Sequence, residues 1–138
     1  MKIGMTGNRY SMSTVAEKVL RHILVELKVT EGHHGDCVGA DLAFHNVLDE
    51  LGLQSVIHPP TNKSNRAFCN GTTILPTKSY LDRNKDIVDD SQIMIAFPNS
   101  EEEQIRSGTW STIRYARKKK RKIFIVFPNG KVTLNNNT

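Results

Sequence analysis

Three short polar clusters hold the residue types best suited to chemistry on an anion: Thr6-Gly7-Asn8-Arg9, Gly35-Asp36-Cys37-Val38-Gly39-Ala40-Asp41 and Ser107-Gly108-Thr109. Each stands ahead of a segment with helical periodicity. Glycine lets the backbone approach a ligand closely, and the first N–H groups of a helix lack intrahelical acceptors. The helix dipole adds partial positive charge there, so such ends gather phosphate and carboxylate groups. Asn8 and Arg9 add donors for a phosphate or a base edge, and Ser107 and Thr109 add hydroxyls. Asp36 and Asp41 supply acceptors suited to ribose hydroxyls. Plainer roles compete at each place: a tight turn at residues 7–9, turn and helix caps at Asp36 and Asp41, and a simple N-cap at Ser107. Arg83 and Asn84 suit a crevice or an ordinary polar helix face equally well.

Other chemistries lack their residues. Gly4 and Gly7 do not fit the G-x-G-x-x-G fingerprint, so no nicotinamide site and no cofactor is expected. No H-E-x-x-H and no nucleophile elbow occurs. His33 and His34 lie beside Asp36 and Cys37, but adjacent strand residues point to opposite faces, so no metal site is expected. His22, His45 and His58 are scattered and read as solvated or packed. Cys37 and Cys69 are too few for a disulfide framework and lack C-x-x-C spacing, so both read as free thiols.

These clusters need elements to hold them. Residues 2–6 read as a buried strand, followed by a helix on which Val15, Val19, Leu20, Ile23, Leu24 and Leu27 recur, capped by Ser11 or Ser13. A second strand is placed at 29–33 and a second helix at 40–51, with Leu42 or Ala43, Val47, Leu48 and Leu51 inward and Gly52 ending it. The third strand spans 54–58. Residues 59–76, with three prolines and little periodicity, read as a long mobile loop over one end of the sheet. A helix over 79–89 offers Leu81, Ile87 and Val88 for packing. The apolar run 92–97 is the fourth strand, 109–120 the last helix with Trp110 in the core, and 122–127 the fifth strand.

Alternating strands and helices with continuous apolar strands imply an α/β fold: a Rossmann-like three-layer sandwich with about five mainly parallel strands. Right-handed crossovers favour the order 3-2-1-4-5, with a switch point between strands one and four. The 138 residues suit a single domain, assigned to 1–128, with 129–138 as a flexible tail. No apolar stretch approaches the roughly 20 residues that cross a bilayer, and the N-terminus lacks a secretory pattern, so a cytoplasmic location is expected. The formal charge is +5, much of it in the run 117–122. That run ends a helix, where cations complement the dipole, and reads first as a solvated face.

In order and spacing, Gly7-Asn8-Arg9, Gly35 to Asp41 with its Gly-Ala-Asp ending, Arg83-Asn84 and Ser107-Gly108-Thr109 resemble the Rossmann-like SLOG superfamily across residues 2–127. That superfamily includes DNA-processing protein A, the LOG phosphoribohydrolases and small stand-alone members, which this chain resembles most. The resemblance implies binding of nucleotides or nucleotide-derived ligands. The phosphoribohydrolases carry P-G-G-x-G-T-x-x-E, in which a carboxylate assists cleavage of an N-glycosidic bond; here Thr112 stands where the glutamate would be.

The expected function is therefore capture of a nucleotide or nucleotide-derived signalling ligand, with phosphate at Gly7, Asn8, Arg9, Ser107, Gly108 and Thr109. Asp36 or Asp41 would meet the sugar, with Gly35, Gly39, Ala40, Arg83 and Asn84 completing the site. The first alternative is hydrolysis or transfer at an N-glycosidic bond, using Asp36, Asp41 or Glu103. The second is DNA binding through the basic run. The expected partner is a small molecule, with nucleic acid second, no membrane, and room for a homo-oligomer.

Overall fold

Helix starts are set by serine. In the computed structural model, which describes residues 1–135, the Ser13 hydroxyl accepts from Ala16 N–H ahead of α1 (Thr14–Glu26), Ser79 does so ahead of α3 (Tyr80–Asp89) and Ser107 ahead of α4 (Gly108–Lys118). The remaining helix, α2 (Ala40–Glu50), starts at Gly39, whose φ of 93° suits glycine and which has no side chain to cap with.

The strands are β1 (Lys2–Gly7), β2 (Glu31–His34), β3 (Gln54–Ile57), β4 (Thr73–Ile74), β5 (Ile93–Phe97), β6 (Lys122–Val126) and β7 (Val132–Asn135). They form one sheet in the order β4-β3-β2-β1-β5-β6-β7, parallel except for β7. The inner five strands follow the order expected from the sequence, and the chain reverses direction across the sheet between β1 and β5. Two edge strands raise the count among the described residues to seven. β4 lies within the segment read as a loop and β7 within the segment read as a flexible tail; residues 136–138 of that tail lie outside the described residues. Thr73–Ile74 is too short to show a period, and Val132–Asn135 gains its order from pairing with β6.

Strand alternation divides the core. Ile3, Met5, Ile93, Ile95 and Phe97 pack with α1 and α2 residues such as Leu20, Leu24, Phe44 and Leu48. Met94, Ala96, Ile123 and Ile125 pack with Ile87, Val88, Trp110 and Ile113 of α3 and α4. This is the three-layer sandwich. Phe44, rather than Leu42, is the large buried side chain on α2, and Leu81 of α3 is 63% exposed instead of packed. The same alternation separates the adjacent histidines: His33 meets His58, while His34 meets His45 of α2.

Candidate functional site

The carboxyl ends of β1 and β5 open onto a cleft of about 670 Å³ at the switch point, where open α/β sheets place their ligands. Its size falls in the usual range for small-molecule sites. Of the residues singled out from sequence, Gly7, Asn8, Arg9, Gly35, Asp41, Arg83, Asn84, Ser107, Gly108 and Thr109 line it. Asp36, Gly39 and Ala40 do not.

The β1–α1 turn is built around Asn8. Its Nδ2 donates to the Phe97 carbonyl at 3.0 Å, and its Oδ1 accepts from the N–H groups of Tyr10 and Ser11. The side chain expected to donate to a ligand therefore shapes the turn instead. Its carbonyl also accepts from Ala40 N–H, tying α2 to this loop. The approach is close enough that a Cβ on Gly7 would sit 2.5 Å from Ala40 Cβ. Arg9 emerges exposed, its guanidinium 5.6 Å from the Tyr10 ring centre. Among the described residues it makes no ion pair.

The second cluster is closed by its own carboxylates. Asp36 is 0% exposed. Its carboxylate accepts from Cys69 N–H at 2.8 Å and pairs with Arg66 at 2.7 Å, which fastens the 59–76 segment to the end of β2. It is removed from the sugar-binding role expected of it because burial and this pairing consume it. Gly39 and Ala40 face the backbone of the Arg9 loop rather than the cleft. Asp41 turns back over the start of α2 to accept from Cys37 N–H at 3.1 Å. Burial raises its pKa to about 6, against the opposing pull of Arg83 and the backbone N–H groups of Cys37 and Gly35. Burial likewise raises the Cys37 thiol, with Asp41 adding to it, so the sulfur stays protonated.

Arg83 is the brace of the cleft. It is 6% exposed and donates to the carbonyls of Gly35 and His58, to Cys37 Sγ and to Asn84 Oδ1. Of the five guanidinium N–H donors, one on Nη2 is left for a ligand. Its plane also lies 5.3 Å from the Tyr80 ring centre.

The third cluster remains open. Ser107 caps α4, and a Cβ on Gly108 would meet nothing within 4 Å. Among the described residues the N–H groups of Gly108 and Thr109 have no protein acceptor. Arg106 stands beside them on the cleft wall, exposed and without an ion pair. The cleft thus holds three arginines against one carboxylate that is partly protonated near neutrality, a field that draws anions. Asn62, Asn65, Tyr10, Tyr80, Asn99, Gln104 and Arg106 join the lining without having been singled out from sequence.

Other candidates lie elsewhere. Glu103 is committed to Arg114 and Arg117 on the surface. Within the basic run, Arg121 donates to the carbonyls of Val88 and Ser91, so part of it ties α3 to the start of β6.

No protein-family model and no curated protein matches the chain. Among solved structures it is similar to the molybdenum cofactor binding protein from the phototrophic bacterium Rippkaea orientalis, at 17% identity and a TM-score of 0.70, covering 91% of this chain and 76% of that one. It is also similar to TM1055, at 17% identity and a TM-score of 0.64, covering 88% and 71%. Fold and site together define a Rossmann-like α/β protein with a cationic cleft at its switch point. No helix among the described residues is long and apolar enough to cross a membrane.

Proposed function

We propose that this chain binds a nucleotide or nucleotide-derived small molecule in the switch-point cleft. The observation that carries this reading is the open N-terminus of α4 flanked by two unpaired arginines, Arg9 and Arg106. A phosphate would accept from the free N–H groups of Gly108 and Thr109, with Arg9 and Arg106 lining the same cleft to balance its charge. Asp41, in the same cleft, is the carboxylate available to ribose hydroxyls. The rings of Tyr10 and Tyr80 offer faces on which a base can stack. The motif order shared with the SLOG superfamily supports this ligand class. So does the likeness to a protein described as binding molybdenum cofactor, which is a small-molecule role on the same architecture.

A second reading rests on Asp41. A carboxyl with a pKa of about 6 inside a cleft is suited to proton transfer near neutral pH, and N-glycosidic cleavage needs such a group. Asp36 and Glu103, the other carboxylates considered for that role, are held in ion pairs.

Calorimetry with AMP, ADP, cyclic nucleotides, ADP-ribose and inorganic phosphate, run beside chromatography of the same mixtures, tests both readings. Saturable nucleotide binding that weakens about tenfold or more in Arg9→Ala and Arg106→Ala supports the first. Release of free base that stops in Asp41→Asn establishes the second. No binding by any nucleotide overturns both.

A further inference from the structure

Among the described residues, two groups of metal-ligating side chains lie outside the cleft, and their hydrogen bonds separate them. His34, His45 and Cys69 are buried, with ligand atoms within 4.8 Å of one another. However, His34 Nδ1 accepts from Asp36 N–H at 3.0 Å, so the ring proton resides on Nε2, which points at His45 Nδ1, also 3.0 Å away. A metal on Nε2 would require an imidazolate. His45 Nε2 in turn faces Asp49 at 3.3 Å, completing a closed chain of donors and acceptors.

His33, His58 and Asp90 make the second group, again with ligand atoms within 4.8 Å of one another. Here the polarity is reversed. Glu31 Oε2 lies 2.8 Å from His33 Nε2, and an ionised carboxylate only accepts, so Nε2 carries the proton and Nδ1 of the neutral ring presents its lone pair. That lone pair faces His58 Nε2 at 2.8 Å. A carboxylate behind an imidazole is the arrangement that orients histidine ligands in metal sites. Asp90, the C-cap residue that follows α3, is exposed, and its carboxylate has no hydrogen bond or ion pair among the described residues.

We propose that His33 Nδ1, His58 Nε2 and the Asp90 carboxylate bind one divalent transition-metal ion of the zinc class, with Glu31 holding His33 in position. Two imidazoles and a carboxylate form a ligand set that Zn²⁺ and Co²⁺ accept, and the exposed side at Asp90 leaves a position for water. Loading moves the proton shared between the rings to His58 Nδ1. It also opens the nitrogens from 2.8 Å to roughly 3.3 Å, the spacing set by Zn–N bonds of about 2.0–2.1 Å in a tetrahedral shell. The ion would join β2, the end of β3 and the end of α3. His58 also gives its carbonyl to Arg83, so the ion would brace the residue that supports the cleft.

The test uses Co²⁺ alone, on chelator-treated protein carrying no affinity tag, read by visible absorption and calorimetry. One Co²⁺ per chain is expected, with the intense d–d bands of a site below six-coordinate. Asp90→Asn changes an exposed side chain, its fold checked by circular dichroism, and is expected to weaken binding at least about tenfold. Cys69→Ser is expected to leave binding unchanged. Absence of Co²⁺ binding, equal affinity in Asp90→Asn, or a thiolate charge-transfer band lost in Cys69→Ser would each overturn the proposal.

Discussion

Asp41→Asn offers a quantitative test of how the cleft is built. Burial shifts the Asp41 carboxyl from 3.8 to about 6, so the folded chain binds a proton that the unfolded chain releases. The sign follows: stability from this group is fully present below its unfolded pKa and is lost as pH rises through the folded value. Integrating the linkage between pH 5 and pH 8 gives a loss of about 1.4 kcal/mol attributable to Asp41. His34 and His58 have pKa values pushed below the usual imidazole range, chiefly by burial, so they contribute with the opposite sign over the same interval. They are common to both proteins and cancel in the comparison. Urea unfolding of the native chain and Asp41→Asn at the two pH values supplies the numbers. The native chain is expected to gain less, or lose more, than the variant by about 1.4 kcal/mol on going from pH 5 to pH 8. Equal pH dependence in the two proteins refutes the assignment of Asp41 as a buried, proton-holding carboxyl.

Three further outcomes follow from the same contacts. Arg66→Met leaves the fully buried Asp36 carboxylate without its cation, and chemical denaturation should show a loss of about 3 kcal/mol or more. Gly39→Ala places a Cβ against the Arg9 backbone at a φ of 93°, so a cost of roughly 1–3 kcal/mol is expected, together with weakened ligand binding as the Arg9 loop shifts. Ser107→Ala removes the α4 cap and should cost about 1 kcal/mol by denaturation while sparing nucleotide affinity, because the proposed anion would be held by main-chain N–H groups.

β1, β5 and β6 were legible as short apolar runs, and β5 is buried along its whole length; β2, with the sequence Glu-Gly-His-His, has no such run and is marked mainly by the Gly-rich turn that follows it. β4 and β7 were not legible, since pairing rather than pattern defines them. The site divides in the same way. That Gly7, Arg9 and Ser107–Thr109 lie at the cleft was legible because turn and helix-start chemistry is local. Asp36 and Asp41 are the same residue type five positions apart and both buried; only the pairing of Asp36 with Arg66, 30 residues away, sets them apart. Asn8 reads from sequence as a donor to ligand, but the Phe97 carbonyl, 89 residues away, accepts from both its backbone N–H and its side-chain amide. Asn62 and Asn65 reach the cleft through a segment whose position depends on that distant ion pair. Tyr10, Tyr80 and Arg106 carried no spacing signal that marked them. The separation of His33 from His34 was legible as strand alternation; the second histidine that each meets was not.

The proposed ligand is a phosphate-bearing nucleotide seated at the start of α4 in the switch-point cleft. The most direct measurement is titration of isotope-labelled protein with ADP, following backbone amide resonances. Saturable shifts centred on Gly108 and Thr109, with companions at Gly7, Arg9 and Gly35, are the predicted result. Shifts confined to the basic run 117–122, or none at millimolar ADP, would contradict it.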